Sequence, residues 1–293
     1  MELTGSVKKP ARFSRRRLLK MLGGTLLSGG GVYAYGAAVE ANRLVVEHVA
    51  VTVPGLAKSR QGQRFVQLTD FHAGRTSIKL IEKSLAMALA LKPEALLITG
   101  DFVDNKYVDM KEICGLLREA ARHVAIIGCT GNHDFAHGNL AFADHVCANL
   151  AAANVRVLRN DAWQPTAGAG ELCFVGVEDL WSGRLDAAAL KMAPPDASVI
   201  LLNHNPDGYE NVADERWHVM LSGHTHGGQV CVPGIGPLIL PVQHRERAQG
   251  LFHLNKEFPQ RALYVSRGVG YLLQVRLFCP PEVTCITLTG TPA

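Results

Sequence analysis

The sequence predicts an α/β fold that becomes richer in β-strand towards its carboxyl end. Between residues 64 and 221, short apolar runs of strand length alternate with longer amphipathic stretches of helix length. After Gly228 the pattern changes to apolar runs separated by turns rich in Pro and Gly, with little helix. The chain has 293 residues, 47% of them hydrophobic, which is enough for one large core.

The predicted elements follow one another in a regular order. Helices are expected at residues 77–91, 110–122 and 140–153, and the first ends before Pro93 because proline disfavours helical backbone in the preceding residue. The strands of the first part are expected at residues 64–69, 95–99, 124–130, 155–158, 171–177, 198–202 and 218–221. Three more are expected beyond Gly228, at residues 230–240, 263–267 and 283–288.

The positive charge of the chain is concentrated at its amino end. Residues 1–40 contain seven of the 30 Lys and Arg residues and two of the 26 acidic residues. Residues 41–293 therefore carry 23 basic and 24 acidic side chains, a net charge of −1. Since this part has no excess of positive charge, we expect no nucleic-acid partner.

The first forty residues resemble an export signal. The run Ser14-Arg15-Arg16-Arg17-Leu18-Leu19-Lys20 precedes an uncharged, glycine-rich stretch over residues 21–39. This is similar to the twin-arginine signal, which implies the twin-arginine translocase as a partner and a location in the periplasm or at the outer face of the cytoplasmic membrane. An N-terminal membrane anchor is the alternative, and both hold if the signal is not cleaved. Residues 1–40 are predicted to be this signal or anchor, and residues 41–293 the folded domain.

The seven cysteines are scattered along the chain, with no Cys-x-x-Cys pair of the kind that binds metal. Their odd number leaves at least one of them unbridged. We favour their interpretation as small buried hydrophobic residues.

Seven residues with oxygen or imidazole donors follow the predicted strands, and none is a thiol. They are Asp70, His72, Asp101, Asn132, His204, His224 and His226. The carboxyl ends of strands form the ligand-binding edge of open α/β sheets, so we expect these residues to meet there. Such donors suit Mn, Fe or Zn, and two divalent ions held side by side cleave phosphate esters. The alternative is that these side chains cap helices that follow the strands.

The motifs that contain these residues resemble those of the calcineurin-like metallophosphoesterases. The likeness is greatest to a branch with twin-arginine signals that includes cell-envelope phosphoesterases and enzymes acting on UDP-diacylglucosamine. It extends from about residue 46 to residue 288. It includes Gly223-His224-Thr225-His226-Gly227-Gly228 within residues 221–229, Pro233-Gly234-Ile235-Gly236-Pro237-Leu238, and Tyr264-Val265-Ser266-Arg267-Gly268-Val269-Gly270. It implies a four-layer β-sandwich of two mixed sheets flanked by helices, formed by residues 41–293.

The resemblance also implies how the ligands are shared between two divalent metal ions, Mn, Zn or Fe. One ion is held by Asp70, His72 and His226, and the other by Asn132, His204 and His224. Asp101 bridges both ions, and its negative charge offsets their mutual repulsion. A water between the ions loses its proton near neutral pH and attacks phosphorus in line.

The resemblance makes His133 the catalytic acid or hydrogen-bond donor near the leaving oxygen. Asp134 is a candidate to orient the His133 ring, because a carboxylate commonly fixes an imidazole. Asp104, three residues past Asp101, is a further candidate for the layer of side chains around the ligands. The alternative for His133 is a purely structural role.

The candidates for binding substrate are His244 and Arg267. His244 lies in the loop after the Gly-His-Thr-His motif, and Arg267 can either meet a phosphate or pair with a carboxylate. Residues 232–250 are apolar first and then polar and basic, which suits a phospholipid or a lipid-linked nucleotide at a membrane surface. An ordinary strand-and-turn segment is the alternative for this stretch.

The sequence thus predicts a hydrolase, a metal-dependent phosphoric ester hydrolase. Its expected substrate is a phosphodiester or pyrophosphate, in a lipid or other cell-envelope molecule. One alternative is a phosphomonoesterase, and another is a membrane-attached metal-binding protein on the same scaffold with little turnover. The complete donor set favours an enzyme, because a relative that had lost activity would be expected to lack at least one ligand.

Overall fold

The fold was obtained as a computed structural model that describes residues 29–105, 109–136, 138–166, 168, 171–253 and 261–290. The twin-arginine motif at residues 14–20 lies outside the described residues. Two six-stranded mixed sheets pack face to face, and helices cover their outer faces. The predicted four-layer sandwich is therefore confirmed.

The described strands, in chain order, are β1 (Val45–Val53), β2 (Arg64–Leu68), β3 (Ala95–Thr99), β4 (Ala125–Cys129), β5 (Val155–Val157), β6 (Asp161–Trp163), β7 (Leu172–Gly176), β8 (Ser198–Leu202), β9 (Val219–Ser222), β10 (Cys231–Val232), β11 (Gly236–Pro237), β12 (Gly250–His253), β13 (Ala262–Val265) and β14 (Glu282–Gly290). The α-helices are α1 (residues 29–38), α2 (Ile78–Ala90), α3 (Lys111–Ala120), α4 (Leu140–Ala152) and α5 (Tyr209–Val212). Short 3-10 helices lie in several of the connections.

The first sheet has the strand order β1-β14-β2-β3-β4-β5. Strands β2 to β5 are parallel to one another, and β14 is parallel to β1 but antiparallel to β2. Helices α2, α3 and α4 pack on the outer face of this sheet, where Ile81 and Ile113 contact the same apolar cluster as Leu96. Alternate residues of β3 point to opposite faces, so Leu97 belongs to the core between the sheets.

The second sheet has the order β12-β13-β9-β8-β7-β6, and its four central strands are parallel. Its inner face meets the first sheet, and Phe65 and Phe174 pack edge to face there, with ring centroids 5.7 Å apart. The outer face is covered by Leu190, Val212 and Trp217, which belong to short helices and connections. The carboxyl ends of the parallel strands of both sheets thus lie along a common edge.

Most predicted strands and helices agree with the structure to within one or two residues at each end. The single strand predicted at residues 230–240 is wrong. This stretch instead forms the two-residue strands β10 and β11, which pair antiparallel because the chain reverses at Pro233-Gly234, where Gly234 has a φ of 79°. Strands β1, β6 and β12 were not predicted.

The chain just before β1 contacts the folded domain. The backbone N–H of Arg276 donates to the carbonyl of Gly36 (3.1 Å), and the buried Glu40 accepts from the N–H of Cys279 (2.9 Å). Among the described residues, no helix has both the length and the apolar character needed to cross a bilayer. The division at residue 40 stays a prediction. All seven cysteines are free, and five are buried, as we expected.

Candidate metal centre

The seven candidate ligands converge at the carboxyl ends of five strands. Asp70 and His72 follow β2, Asp101 follows β3, Asn132 follows β4, His204 follows β8, and His224 and His226 follow β9. Strands β2, β3 and β4 belong to the first sheet and β8 and β9 to the second, so both sheets contribute donors. Six of the seven residues are buried, and Asn132 is half-buried.

Asp70, His72 and His226 form one group of donor atoms. The Nε2 atoms of His72 and His226 lie 3.1 Å apart. Oδ1 of Asp70 lies 3.4 Å from Nε2 of His226 and 3.8 Å from Nε2 of His72. Three donors this close together can hold one cation, and their N and O atoms fit the divalent ions favoured by imidazole and carboxylate.

Asn132, His204 and His224 form a second group. Nδ1 of His224 lies 3.0 Å from Oδ1 of Asn132 and 3.3 Å from Nε2 of His204. The other ring nitrogens are held by backbone carbonyls: Nδ1 of His204 donates to Thr99 (2.7 Å), and Nε2 of His224 donates to Pro241 (3.1 Å). These bonds orient the two rings, so that Nε2 of His204 and Nδ1 of His224 face the group.

Asp101 lies between the two groups. Its Oδ2 atom is 3.5 Å from Nε2 of His72 in the first group and 3.2 Å from Nε2 of His204 in the second. Its Oδ1 atom accepts a hydrogen bond from the backbone N–H of His133 (2.8 Å). One carboxylate oxygen therefore contacts both groups while the other is anchored to the loop after β4.

Burial makes the donors suitable for a cation. It lowers the pKa of His72 and that of His224 to about 3, so both rings are neutral at pH 7 and have a free lone pair. Burial also raises the pKa of Asp70 to about 6, because a carboxylate loses its hydration there. A cation in contact with Asp70 would favour its charged form, since an opposite charge at close range stabilises a carboxylate.

The backbone around these residues is unusual. Asp70, His72, Asp101, His224 and His226 all have positive φ angles, between 44° and 69°. Left-handed backbone in residues other than glycine costs about 1 kcal/mol or more each and persists where the surroundings hold it, commonly at functional sites. Gly223 permits the close approach of β2 and β9, since a Cβ atom there would lie 2.4 Å from Oδ2 of Asp70.

His133 lies beside the first group and is held by Asp104. The His133 and His72 rings meet edge to face at 4.5 Å, and Nδ1 of His133 lies 3.1 Å from Oδ1 of Asp104. The expectation that Asp134 orients His133 is wrong. The carboxylate of Asp134 is buried beneath the loop, where it accepts from the backbone N–H groups of Gly131 (2.9 Å) and Val103 (3.2 Å).

Two neighbours of the site were not predicted from the sequence. Arg75 donates from Nη2 to Oδ2 of Asp104 (3.0 Å), so Asp104 contacts both His133 and Arg75. The ring of Trp181 meets that of His224 edge to face at 4.4 Å. Neither residue lies in a recognisable motif, although Arg75 closely follows the Asp-Phe-His sequence.

The two candidates for binding substrate are paired with carboxylates. Nε of Arg267 lies 2.9 Å from Oε2 of Glu282, and its Nη2 donates to Glu47 (2.5 Å). Of the two roles considered for Arg267, the structure shows the ion pair. The ring of His244 lies 2.5 Å from a carboxylate oxygen of Glu210 and 3.2 Å from one of Glu246. Contact of either residue with substrate stays a prediction.

Comparisons of this sequence with known proteins agree on one family. The family described as calcineurin-like phosphoesterase matches residues 63–228. The phosphodiesterase YaeI of Escherichia coli is 32% identical over 285 residues, which cover 94% of this chain and 99% of that protein. The UDP-2,3-diacylglucosamine pyrophosphatase LpxG of Chlamydia trachomatis is 26% identical over 84% of this chain and 89% of its own. A zebrafish relative, 25% identical over 87% of this chain and 59% of its own, is named a transmembrane protein with a metallophosphoesterase domain.

Proposed function

The chain belongs to the calcineurin-like phosphoesterase family, and from this premise we propose that it hydrolyses a phosphodiester or pyrophosphate with the help of two divalent ions. The observation that supports two ions, rather than one, is the position of Asp101. Its Oδ2 atom is within 3.5 Å of an imidazole nitrogen in each of the two donor groups. A single carboxylate oxygen in that place is suited to be a shared ligand.

In this proposal each of the two donor groups holds one metal ion. Asp70, His72 and His226 would hold one ion, Asn132, His204 and His224 the other, and Asp101 both. Such ions would lower the pKa of a water molecule and would offset the negative charge of the phosphoryl oxygens. The task of the chain is to orient the imidazoles: the carbonyls of Thr99 and Pro241 hold the rings of His204 and His224, and burial keeps His224 neutral.

We assign to His133 the transfer of a proton to the leaving oxygen. Its Nδ1 atom is occupied by Asp104, which leaves Nε2 as the ring atom that can meet a substrate. The ring lies at the edge of the centre, partly exposed, with 17% of its side chain accessible. Asp104 is in turn held by Arg75, and this line of contacts fixes the direction of the His133 ring.

The substrate that we propose is a lipid or another cell-envelope phosphoester. Two relatives are named as a phosphodiesterase and as a pyrophosphatase of a diacylated sugar nucleotide. Beside the centre, Ile239 and Leu273 expose large apolar side chains to solvent. A substrate that brings its own apolar part would cover them, which favours a lipid over a small soluble ester.

The location that we propose is outside the cytoplasm, at the membrane. This rests on the resemblance of residues 14–20 to a twin-arginine signal. Replacing Arg15 and Arg16 together by Lys should keep the protein in the cytoplasmic fraction, whereas Arg12→Lys should not. Export that proceeds unchanged in the double variant would exclude this route.

A substrate panel tests the proposed activity. Protein freed of metal by a chelator is reloaded with Mn, Zn or Fe and given bis-p-nitrophenyl phosphate, p-nitrophenyl phosphate, and lipid-bearing diesters and pyrophosphates. We expect metal-dependent cleavage of the diester or the pyrophosphates, and slower cleavage of the monoester. Preferred cleavage of the monoester would make the protein a phosphomonoesterase. No turnover with any metal would favour the binding protein on the same scaffold.

A further inference from the structure

An apolar cavity of about 340 Å³ lies next to the metal centre. Its walls come from the chain after the Gly-His-Thr-His motif and from the loop before β14. The side chains that line most of it are Val230, Leu238, Ile239, Leu272, Leu273 and Val275. A cavity this size with almost entirely hydrocarbon walls is the usual form of a small-molecule site.

The polar groups of Gln229 are occupied by the backbone of the opposite segment. Nε2 of Gln229 donates to the carbonyls of Leu273 (2.9 Å) and Val275 (3.0 Å), and its Oε1 accepts from the N–H of Leu272 (2.6 Å). The backbone of Leu277 adds two further bonds between the same two segments, to Gln229 (2.8 Å) and to Cys231 (2.9 Å). The two walls are therefore tied together, and these polar atoms are not left for a ligand.

The cavity shares residues with the metal centre. Thr225 and His226 form one end of its lining, and the ring of His226 faces Asp70 through Nε2. Pro241 also lines it, and the carbonyl of Pro241 accepts the hydrogen bond that orients His224. A ligand with its phosphate at the centre would thus have the cavity directly beside that phosphate.

The mouth of the cavity has exposed hydrophobic side chains. Ile239 is 78% exposed and Leu273 is 70% exposed, and they belong to the two different chain segments that line the cavity. Large apolar side chains that line a groove at this exposure commonly mark a binding site. An occupant that enters between them would remove apolar surface from water on both sides.

We infer that this cavity binds the hydrocarbon chain of a substrate whose phosphate lies at the metal centre. The inference rests on the proposed function. A water-sized group takes up about 30 Å³, and a methylene group is similar in size, so the cavity has room for roughly ten methylenes. A sugar or a nucleobase would need several hydrogen-bond partners, which the apolar side chains of these walls do not provide, whereas an alkyl or acyl chain needs none.

A series of alkyl p-nitrophenyl phosphodiesters tests the inference. Methyl, hexyl and dodecyl esters have the same leaving group, and they are assayed with the Mn-loaded protein below the concentration at which they form micelles. We expect kcat/KM to rise roughly two- to fourfold per methylene added, until the cavity is filled. Equal kcat/KM for all three esters would overturn the inference and leave the proposed function intact. No cleavage of any ester would instead count against the proposed function.

Two matched variants locate the chain in this cavity. Ile239→Ser changes a lining residue after β11, and Ile235→Ser changes one of the same type and exposure, 77%, in the turn between β10 and β11 and outside the lining. We expect Ile239→Ser to lower the ratio of kcat/KM for the dodecyl ester to that for the methyl ester about five- to tenfold. Ile235→Ser should leave this ratio unchanged. Equal losses in the two variants would place the chain elsewhere on the surface.

Calorimetry gives a measurement that does not depend on turnover. Binding of dodecylphosphonate to the Mn-loaded protein should show a clearly more negative heat-capacity change than binding of methylphosphonate, because apolar surface is buried. In Ile239→Ser this difference should shrink, and in Ile235→Ser it should persist. The same heat-capacity change for both phosphonates would contradict a hydrocarbon site.

Discussion

The metal centre and the adjoining apolar cavity share His226, but they are built in different ways. The centre takes its donors from the ends of five buried strands in both sheets, and five of these residues have left-handed backbone. The cavity is walled by two connecting segments, tied by Gln229, with exposed side chains such as Ile239 at its mouth. One region depends on the whole fold, and the other depends on local loops.

This difference separates the reaction from the choice of substrate. A change at the centre disturbs strands that also form the core between the sheets, so its donors are constrained by folding as well as by chemistry. A change in the cavity wall affects few core contacts. We therefore expect relatives with the same centre to differ in the cavity, and variants of the two regions to fail in different ways.

The largest effect is expected from Asp101→Asn. The amide retains the shape of the carboxylate but loses the charge that both proposed ions share, so turnover of bis-p-nitrophenyl phosphate should fall by about 10⁴-fold. Elemental analysis should show that bound metal falls below two equivalents. Full metal content with full turnover would remove Asp101 from the role of bridge.

The next largest loss of turnover is expected from His133→Ala. Loss of a general acid typically costs about 10²- to 10⁴-fold, and we expect a loss in this range in kcat, with metal content near that of the unaltered protein. His123→Ala, at an exposed position in the turn after α3, should leave kcat unchanged. If the His133 variant loses one metal equivalent, this residue is a ligand or a structural partner instead.

A smaller effect on stability is expected from Gly223→Ala. The added methyl would lie 2.2 Å from Oγ1 of Thr69, so β2 and β9 must separate, at a cost of about 1–3 kcal/mol in the free energy of unfolding. Gly115→Ala, on the exposed face of α3 with open space around it, should instead stabilise by about 0.5–1 kcal/mol. Urea titration measures both. Unchanged stability in Gly223→Ala would show that the chain at Gly223 can move away from Thr69 at little cost.

The smallest effect on stability is expected in the cavity wall. Leu273→Ser replaces a side chain that is 70% exposed, so the free energy of unfolding should change by no more than about 0.5 kcal/mol. The same variant should lose selectivity for long alkyl esters. A large loss of stability would mean that the wall is part of the core and would weaken the contrast between the two regions.

The convergence of the candidate ligands could be predicted from the sequence because short polar motifs follow continuous apolar runs. Asp70, Asp101 and His204 each come just after a buried strand, and the topology of parallel strands then brings them together. Their contacts within the site required the structure. Asp134 is next to His133 in sequence and Asp104 is 29 residues before it, yet the path of the loops brings Asp104, and not Asp134, to the His133 ring.

The cavity could not be predicted because its walls are far apart in sequence. Gln229 and Leu273 are separated by 44 positions, and their contact depends on how the loop before β14 returns to the site. Strand β1 was missed for a related reason. Its residues are largely half-buried or exposed, and its partner β14 lies at the other end of the chain, so neither periodicity nor neighbouring sequence indicates the pairing.

The most direct test of the account is anomalous diffraction from crystals of the Mn-loaded protein. We predict two anomalous peaks on opposite sides of Asp101, one in contact with Asp70, His72 and His226, and the other with Asn132, His204 and His224. A single peak would contradict the shared carboxylate. His72, Asp104 and His133 form another group of donor atoms that could hold an ion. A second peak between His133 and Asp104 would therefore also contradict the account.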